Sequence, residues 1–178
     1  MKRFALLALT VTMAACGSDS NNTPAPTPNS NTLVFTAQLA ATKEVPPVTN
    51  ADVNATGSAT ITLNVTRDAN NNITGGTASW TFSVSGFPSN TNLILNHIHE
   101  GVDTSTGGVV VNSLLSAASP LVLANGTLTN QTFSNLVPQN NDFSIFQRMS
   151  TNPNGFYFNV HSTINPGGAV RGQLVRTQ

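Results

Sequence analysis

Three histidines are the entire imidazole supply of this 178-residue chain: His97 and His99 in LNHIHEG, and His161 in FYFNVHS. Both segments read as β-strand, in which alternate side chains share a face. His97 and His99 therefore point together while Ile98 points away, and His161 opposes Val160. With Ile98 and Val160 turned to the core, all three imidazoles project from the outer surface of a sheet, where loops can close over them. A neutral imidazole offers a lone pair to a transition metal, and three of them with an open position form a recurring ligand set for zinc; copper also favours imidazole. The spacing accommodates a mononuclear copper or zinc site. The competing reading has each ring simply hydrogen-bonding a loop carbonyl.

The start of the chain speaks to the compartment in which such a site would work. Lys2 and Arg3 precede an apolar run, Phe4 to Val11, that is too short to span a bilayer, and Met13-Ala14-Ala15-Cys16 ends it with small residues before the only cysteine. Residues 1–15 thus read as a secretory signal. Its ending resembles the lipobox of bacterial lipoproteins, in which the cysteine, here Cys16, is lipidated and becomes the mature N-terminus. Gly17 stands where aspartate favours inner-membrane retention, so the expected location is the bacterial cell envelope, lipid-anchored at the outer membrane on its periplasmic or surface face. Residues 16–32, small, polar and proline-punctuated, read as the lipidated cysteine and a flexible tether.

That leaves residues 33–178 as one domain, long enough to bury a core. A lone cysteine forms no intrachain disulfide, so stability must come from that core. Without Lys2 and Arg3, five basic residues face seven acidic ones, a formal charge of −2. No basic stripe offers itself to nucleic acid. Thr, Val, Phe and Ile recur in short runs cut by Asn, Gly and Pro, which predicts an all-β domain. Strands are expected at 33–40, 55–67, 74–85, 93–99, 109–114, 120–128, 156–161 and 170–175. Ala59, Ile61, Leu63 and Val65 alternate with polar neighbours, and DANNNITG supplies a hairpin turn to the strand on which Trp80, Phe82 and Val84 share a core face. One short helix is expected after Asp142, with Ile145, Phe146 and Met149 as its buried stripe. The architecture predicted is a Greek-key β-sandwich of immunoglobulin-like kind, or a flattened barrel.

Three separated segments carry a family resemblance over essentially all of residues 33–178. FTAQLAATKEVPPV, HIHEG with the following TGGVVVNSL, and FYFNVHSTINPGGAVRGQL resemble the CHRD domain, named after chordin and widespread in bacterial secreted proteins. The resemblance implies an extracytoplasmic domain without a defined family activity. A more distant likeness is chemically richer. GTASWTFSVSGFPSNTNLILNHIHEGVDTSTGG, then NVH, then GGAVRGQL, is similar in order to copper/zinc superoxide dismutase, and implies that fold. On that likeness His97, His99 and His161 match three copper ligands, and Arg171 matches the arginine beside the copper that guides the anionic substrate. By strand parity Arg171 does project on the outer face, with Val170 and Leu174 inward. Its alternative is to anchor a loop through carbonyl hydrogen bonds. The chain departs from the dismutases in having no bridging fourth histidine, no second cysteine, and only Ser162 to Ala169 where they carry a large charged loop.

The residues therefore point to a lipid-anchored binding module of the envelope holding one copper or zinc ion through His97, His99 and His161, with Glu100, Asp103 and Asn159 as the groups that orient the rings. Its partners would be the membrane, through the anchor, and an envelope or protein ligand. Binding without turnover is favoured over the two alternatives, a copper-dependent dismutase-like redox enzyme and a metal-free structural or adhesion domain. Glu44, a lone carboxylate in EVPPV, is assigned to a salt bridge or loop hydrogen bond. No nucleophile elbow or phosphate loop is present.

Overall fold

The computed structural model describes residues 30–178. The expected signal segment 1–15, Cys16 and the tether as far as residue 29 lie outside the described residues. Ten strands form one antiparallel sheet: β1 (Thr32–Ala40), β2 (Thr56–Arg67), β3 (Ile73–Ser85), β4 (Thr91–Glu100), β5 (Gly108–Asn112), β6 (Leu121–Leu123), β7 (Leu128–Leu136), β8 (Phe156–Ser162), β9 (Val170–Gln173) and β10 (Val175–Arg176). Their order is β5-β4-β8-β9-β1-β2-β3-β7, with β6 on β4 and β10 on β1. The sheet curls into a nearly closed, flattened barrel, and Val111 of β5 bridges Pro138, just past β7, across the remaining seam. Among the described residues no helix is long and apolar enough to cross a membrane.

Period-two alternation builds this wall. In β2, Ala59, Ile61, Leu63 and Val65 are buried while Ser58, Thr60 and Asn64 are exposed. The Asp68–Asn72 turn into β3 closes because Asp68 Oδ1 accepts the backbone N–H of Asn70 and Asn72 at 2.9 and 2.8 Å, with Asn71 left-handed at φ 67°. Trp80, Phe82 and Val84 then face inward, and the rings of Trp80 and Phe82 meet Phe158 of β8 at 5.4 and 5.7 Å between centroids. The chain crosses from β3 near one end of the sheet to β4 near the other, and Trp80 Nε1–H ties the two through the interior by donating to Asn96 Oδ1 at 2.7 Å.

The one α-helix among the described residues, α1 (Ser144–Thr151), buries Ile145, Phe146 and Met149 against the barrel. Asp142 Oδ1 accepts the Ser144 N–H at 3.1 Å, which caps its first turn. The strand expected at 120–128 corrects to the three-residue β6, and the longer β7 begins where that expectation ended. In β7 the inward positions are Leu128, Gln131, Phe133 and Leu136, opposite Val84, Phe82, Trp80 and Ala78. Two bulges, each with a left-handed asparagine nearby (Asn130 and Asn135), insert an extra residue and destroy the alternation that marks a strand.

Candidate metal centre

β4, β8 and β9 lie side by side and set the site's rows. His97 pairs with Asn159 and Asn159 with Arg171; His99 pairs with Tyr157 and Tyr157 with Gln173. Ile98, Phe158, Val160 and Val170 fill the core behind them with no exposure. The opposite, outer face carries the three imidazoles, yet it is not open to solvent: His97, His99 and His161 are 5%, 8% and 4% exposed. The loops that follow β4 and β8 bury them. The rings converge, with centroids 4.9 Å apart for His97 and His99, 4.4 Å for His97 and His161, and 6.2 Å for His99 and His161.

Hydrogen bonds fix which nitrogen of each ring faces the cluster. His99 Nδ1 lies 2.8 Å from Gly107 O, and His161 Nδ1 lies 2.9 Å from Pro166 O. A carbonyl oxygen only accepts, so both Nδ1 atoms carry hydrogen and both Nε2 atoms keep a lone pair. His97 Nδ1 is 2.9 Å from His99 Nε2 and donates to it. Among the described residues, His161 Nε2 is buried with no partner. One nitrogen from each ring falls in a group within 4.8 Å. Two nitrogens on a tetrahedral ion at about 2.0–2.1 Å lie about 3.4 Å apart, so the widest pair must close by more than about 1 Å on binding. The donor set fits a transition ion: three neutral imidazoles, one of them with an orphaned buried lone pair.

Burial keeps the rings neutral. Desolvation, then the neighbouring His161 and His99, pushes His97 down to about 3. His161 falls to about 4 by desolvation, against the Pro166 bond and with His99 lowering it further. His99 is also lowered, by desolvation first, with the Gly107 bond opposing and the Arg171 charge adding. The lone pairs of His97 and His161 are thus available well below neutral pH.

A stack of flat groups supports His99. Tyr157 lies parallel to it, 3° between planes and 4.7 Å between centroids, and the Arg171 guanidinium sits 4.3 Å over the tyrosine ring. Tyr157 OH accepts the Gly107 N–H at 3.1 Å, so the residue whose carbonyl orients His99 is itself held. Arg171, 1% exposed, donates Nη1–H to Ser105 O at 2.9 Å and Nη2–H to Asp103 O and Val102 O at 2.5 and 3.3 Å. Its fork is turned into the loop after β4.

Of the three expected ring-orienting groups, none holds a ring. Glu100 shares its strand face with Ile98 rather than with the histidines, and its two oxygens take Arg148 Nε–H and Nη2–H of α1 at 2.8 Å each. Strand parity alone excludes it. Asp103 contributes its backbone carbonyl to Arg171. Asn159 stands between His97 and Arg171 on the correct face, but its amide donates to Glu44, leaving Oδ1 buried and without a partner among the described residues. Backbone carbonyls of Gly107 and Pro166 take the role instead, and no side-chain pattern announces them. Tyr157 was legible, being two and four residues before Asn159 and His161 on one strand face. Glu44 is 6% exposed, and burial raises it to about 7 against the lowering effects of the Arg171 charge and the Asn159 amide.

A family model described as the CHRD domain matches residues 35–174, from the Phe35 that opens FTAQ to the Leu174 that closes RGQL. No curated protein and no solved structure matches the chain.

Proposed function

The chain belongs to the CHRD-domain family, and we propose that it works as a binding module of the bacterial cell envelope, anchored by lipid on Cys16, that holds one copper or zinc ion on His97, His99 and His161. The observation that carries this reading is the buried Nε2 of His161, without a partner among the described residues, in a ring whose neighbours His97 and His99 each bring a nitrogen within 4.8 Å of the others in the group. An unsatisfied buried acceptor costs about 1–3 kcal/mol unless something occupies it. His97 would ligate through Nδ1 after its proton moves to Nε2, and His99 and His161 through Nε2. Three imidazoles leave a further position on such an ion for water or for a donor atom of a partner. Arg171 supports binding over turnover, since it is withdrawn from solvent and spends its donors on three loop carbonyls.

Elemental analysis and copper and zinc titration of the full-length protein, beside a His97→Ala/His99→Ala/His161→Ala variant, test the site. One equivalent bound tightly and lost in the variant is the expected result; binding that survives the triple change rejects it. For the anchor, Cys16→Ser should move the protein from the membrane to the soluble fraction and abolish incorporation of labelled fatty acid.

A further inference from the structure

Asp52 lies in the turn between β1 and β2, far in sequence from any histidine, and is wholly buried. Its Oδ2 accepts the Ser162 hydroxyl at 2.5 Å and an Asn165 amide N–H at 2.7 Å. Ser162 Oγ in turn accepts the Asn165 backbone N–H at 3.0 Å, and Asn165 O accepts the N–H of Ser162 and Gly168 at 3.3 and 3.1 Å. Asn50 grips the same turn through a reciprocal amide pair with Asn165, at 2.7 and 3.0 Å. Pro166 sits inside this cage, between Asn165 and Gly168, and its carbonyl is the acceptor that fixes His161 Nδ1.

We propose that Asp52 is the positioning residue for His161: its carboxylate folds the 162–168 turn so that Pro166 O holds the proton on Nδ1 and aims the Nε2 lone pair into the histidine cluster. A turn that needed only to be ordered could use a neutral side chain on an exposed face. A fully buried carboxylate is expensive to desolvate, and what it gains is short, charge-assisted bonds of fixed direction. The consequence for affinity rests on the metal reading of the three imidazoles; the consequence for the His161 tautomer does not.

The test uses full-length, 15N-labelled protein. Ring-nitrogen correlation spectra read the tautomer of His161, with His99 as the internal comparison, and competition with a chelator reads zinc affinity. In Asp52→Ala, His161 should change from the pure Nδ1–H form to a mixture of tautomers while His99 keeps its pattern, and zinc should bind about tenfold more weakly. Asp52→Asn, which keeps an acceptor but loses the charge, should fall between Asp52→Ala and the unmutated protein in both. Near-ultraviolet circular dichroism from Trp80 reports folding; should Asp52→Ala fail to fold, Ser162→Ala, which removes one of the two carboxylate bonds, carries the same comparison. A folded variant with wild-type His161 signals and wild-type zinc affinity overturns the proposal. If His161 responds while the unmutated protein takes up no zinc, the positioning role stands and the metal reading falls.

Discussion

The ionisable residues on the outer face oppose one another in their pH dependence. Glu44 titrates at about 7 in the fold against an ordinary 4.5, so its contribution to stability is full below the unfolded value and is lost as pH rises through 7. Glu44→Gln cannot ionise. Between pH 5 and pH 8 the stability difference should therefore move in favour of the variant, by at most about 3 kcal/mol, in urea titrations at the two pH values. The histidines act on the acid side. His97 and His161 titrate at about 3 and about 4 in the fold against 6.5, so the unfolded chain takes up protons that the buried rings refuse. Metal-free protein should lose stability as pH falls below 6.5, by about 1.4 kcal/mol per pH unit for each ring. The triple alanine variant should show a much flatter acid limb. Glu44→Gln should leave that limb unchanged. At this scale the histidines and their shared face were readable from parity, because a strand's side-chain period is fixed by backbone geometry. The atoms that orient them were not, since a carbonyl belongs to every residue alike.

The element that completes the site is the loop between β4 and β5. Gly107 has no room for a side chain: a Cβ there would come within 1.7 Å of Glu100 O. Gly107→Ala should displace the carbonyl that orients His99, weaken zinc binding about tenfold or more, and accelerate amide hydrogen exchange across 101–107. Arg171 grips the same loop. Arg171→Lys replaces a planar fork with a point charge, cannot span three carbonyls at once, and should cost about 2 kcal/mol in thermal or urea unfolding while loosening 102–105 in exchange. An anion-guiding role would instead appear as salt-dependent binding kinetics with the loop unchanged. β7 shows where reading by elements stops. Its inward residues fall three, two and three apart because bulges interrupt it, so LTNQTFSNL carries no alternation to find. α1 was legible, because Ile145, Phe146 and Met149 fall on one stripe whatever the helix packs against.

For the molecule as a whole, the interior bond from Trp80 to Asn96 joins strands near opposite ends of the sheet order. Trp80→Phe keeps most of the packing against Phe158 but strands Oδ1 of Asn96, a residue whose Nδ2 already lacks a partner among the described residues; a loss of about 1–3 kcal/mol is expected in urea unfolding. Ion binding should feed back on the entire barrel, since the ligands come from two strands that pair only in the folded state. Zinc at a hundred times its dissociation constant should stabilise the protein by about 2.7 kcal/mol, a rise of roughly 5–10 °C in Tm by calorimetry that the triple alanine variant lacks. By itself the sequence determined the all-β class, the hairpin from β2 to β3, the short helix, the family, and the common face of His97, His99, His161 and Arg171. Each of these follows from a local period or a contiguous motif. Only the tertiary structure decided that β8 lies between β4 and β9 and so brings the three imidazoles together. It alone turned Glu100 to Arg148, and it placed Asp52 under the turn that carries Pro166. Those are relations between segments as much as 110 residues apart, set by how one sheet closes on its core, and no local pattern in the chain encodes them.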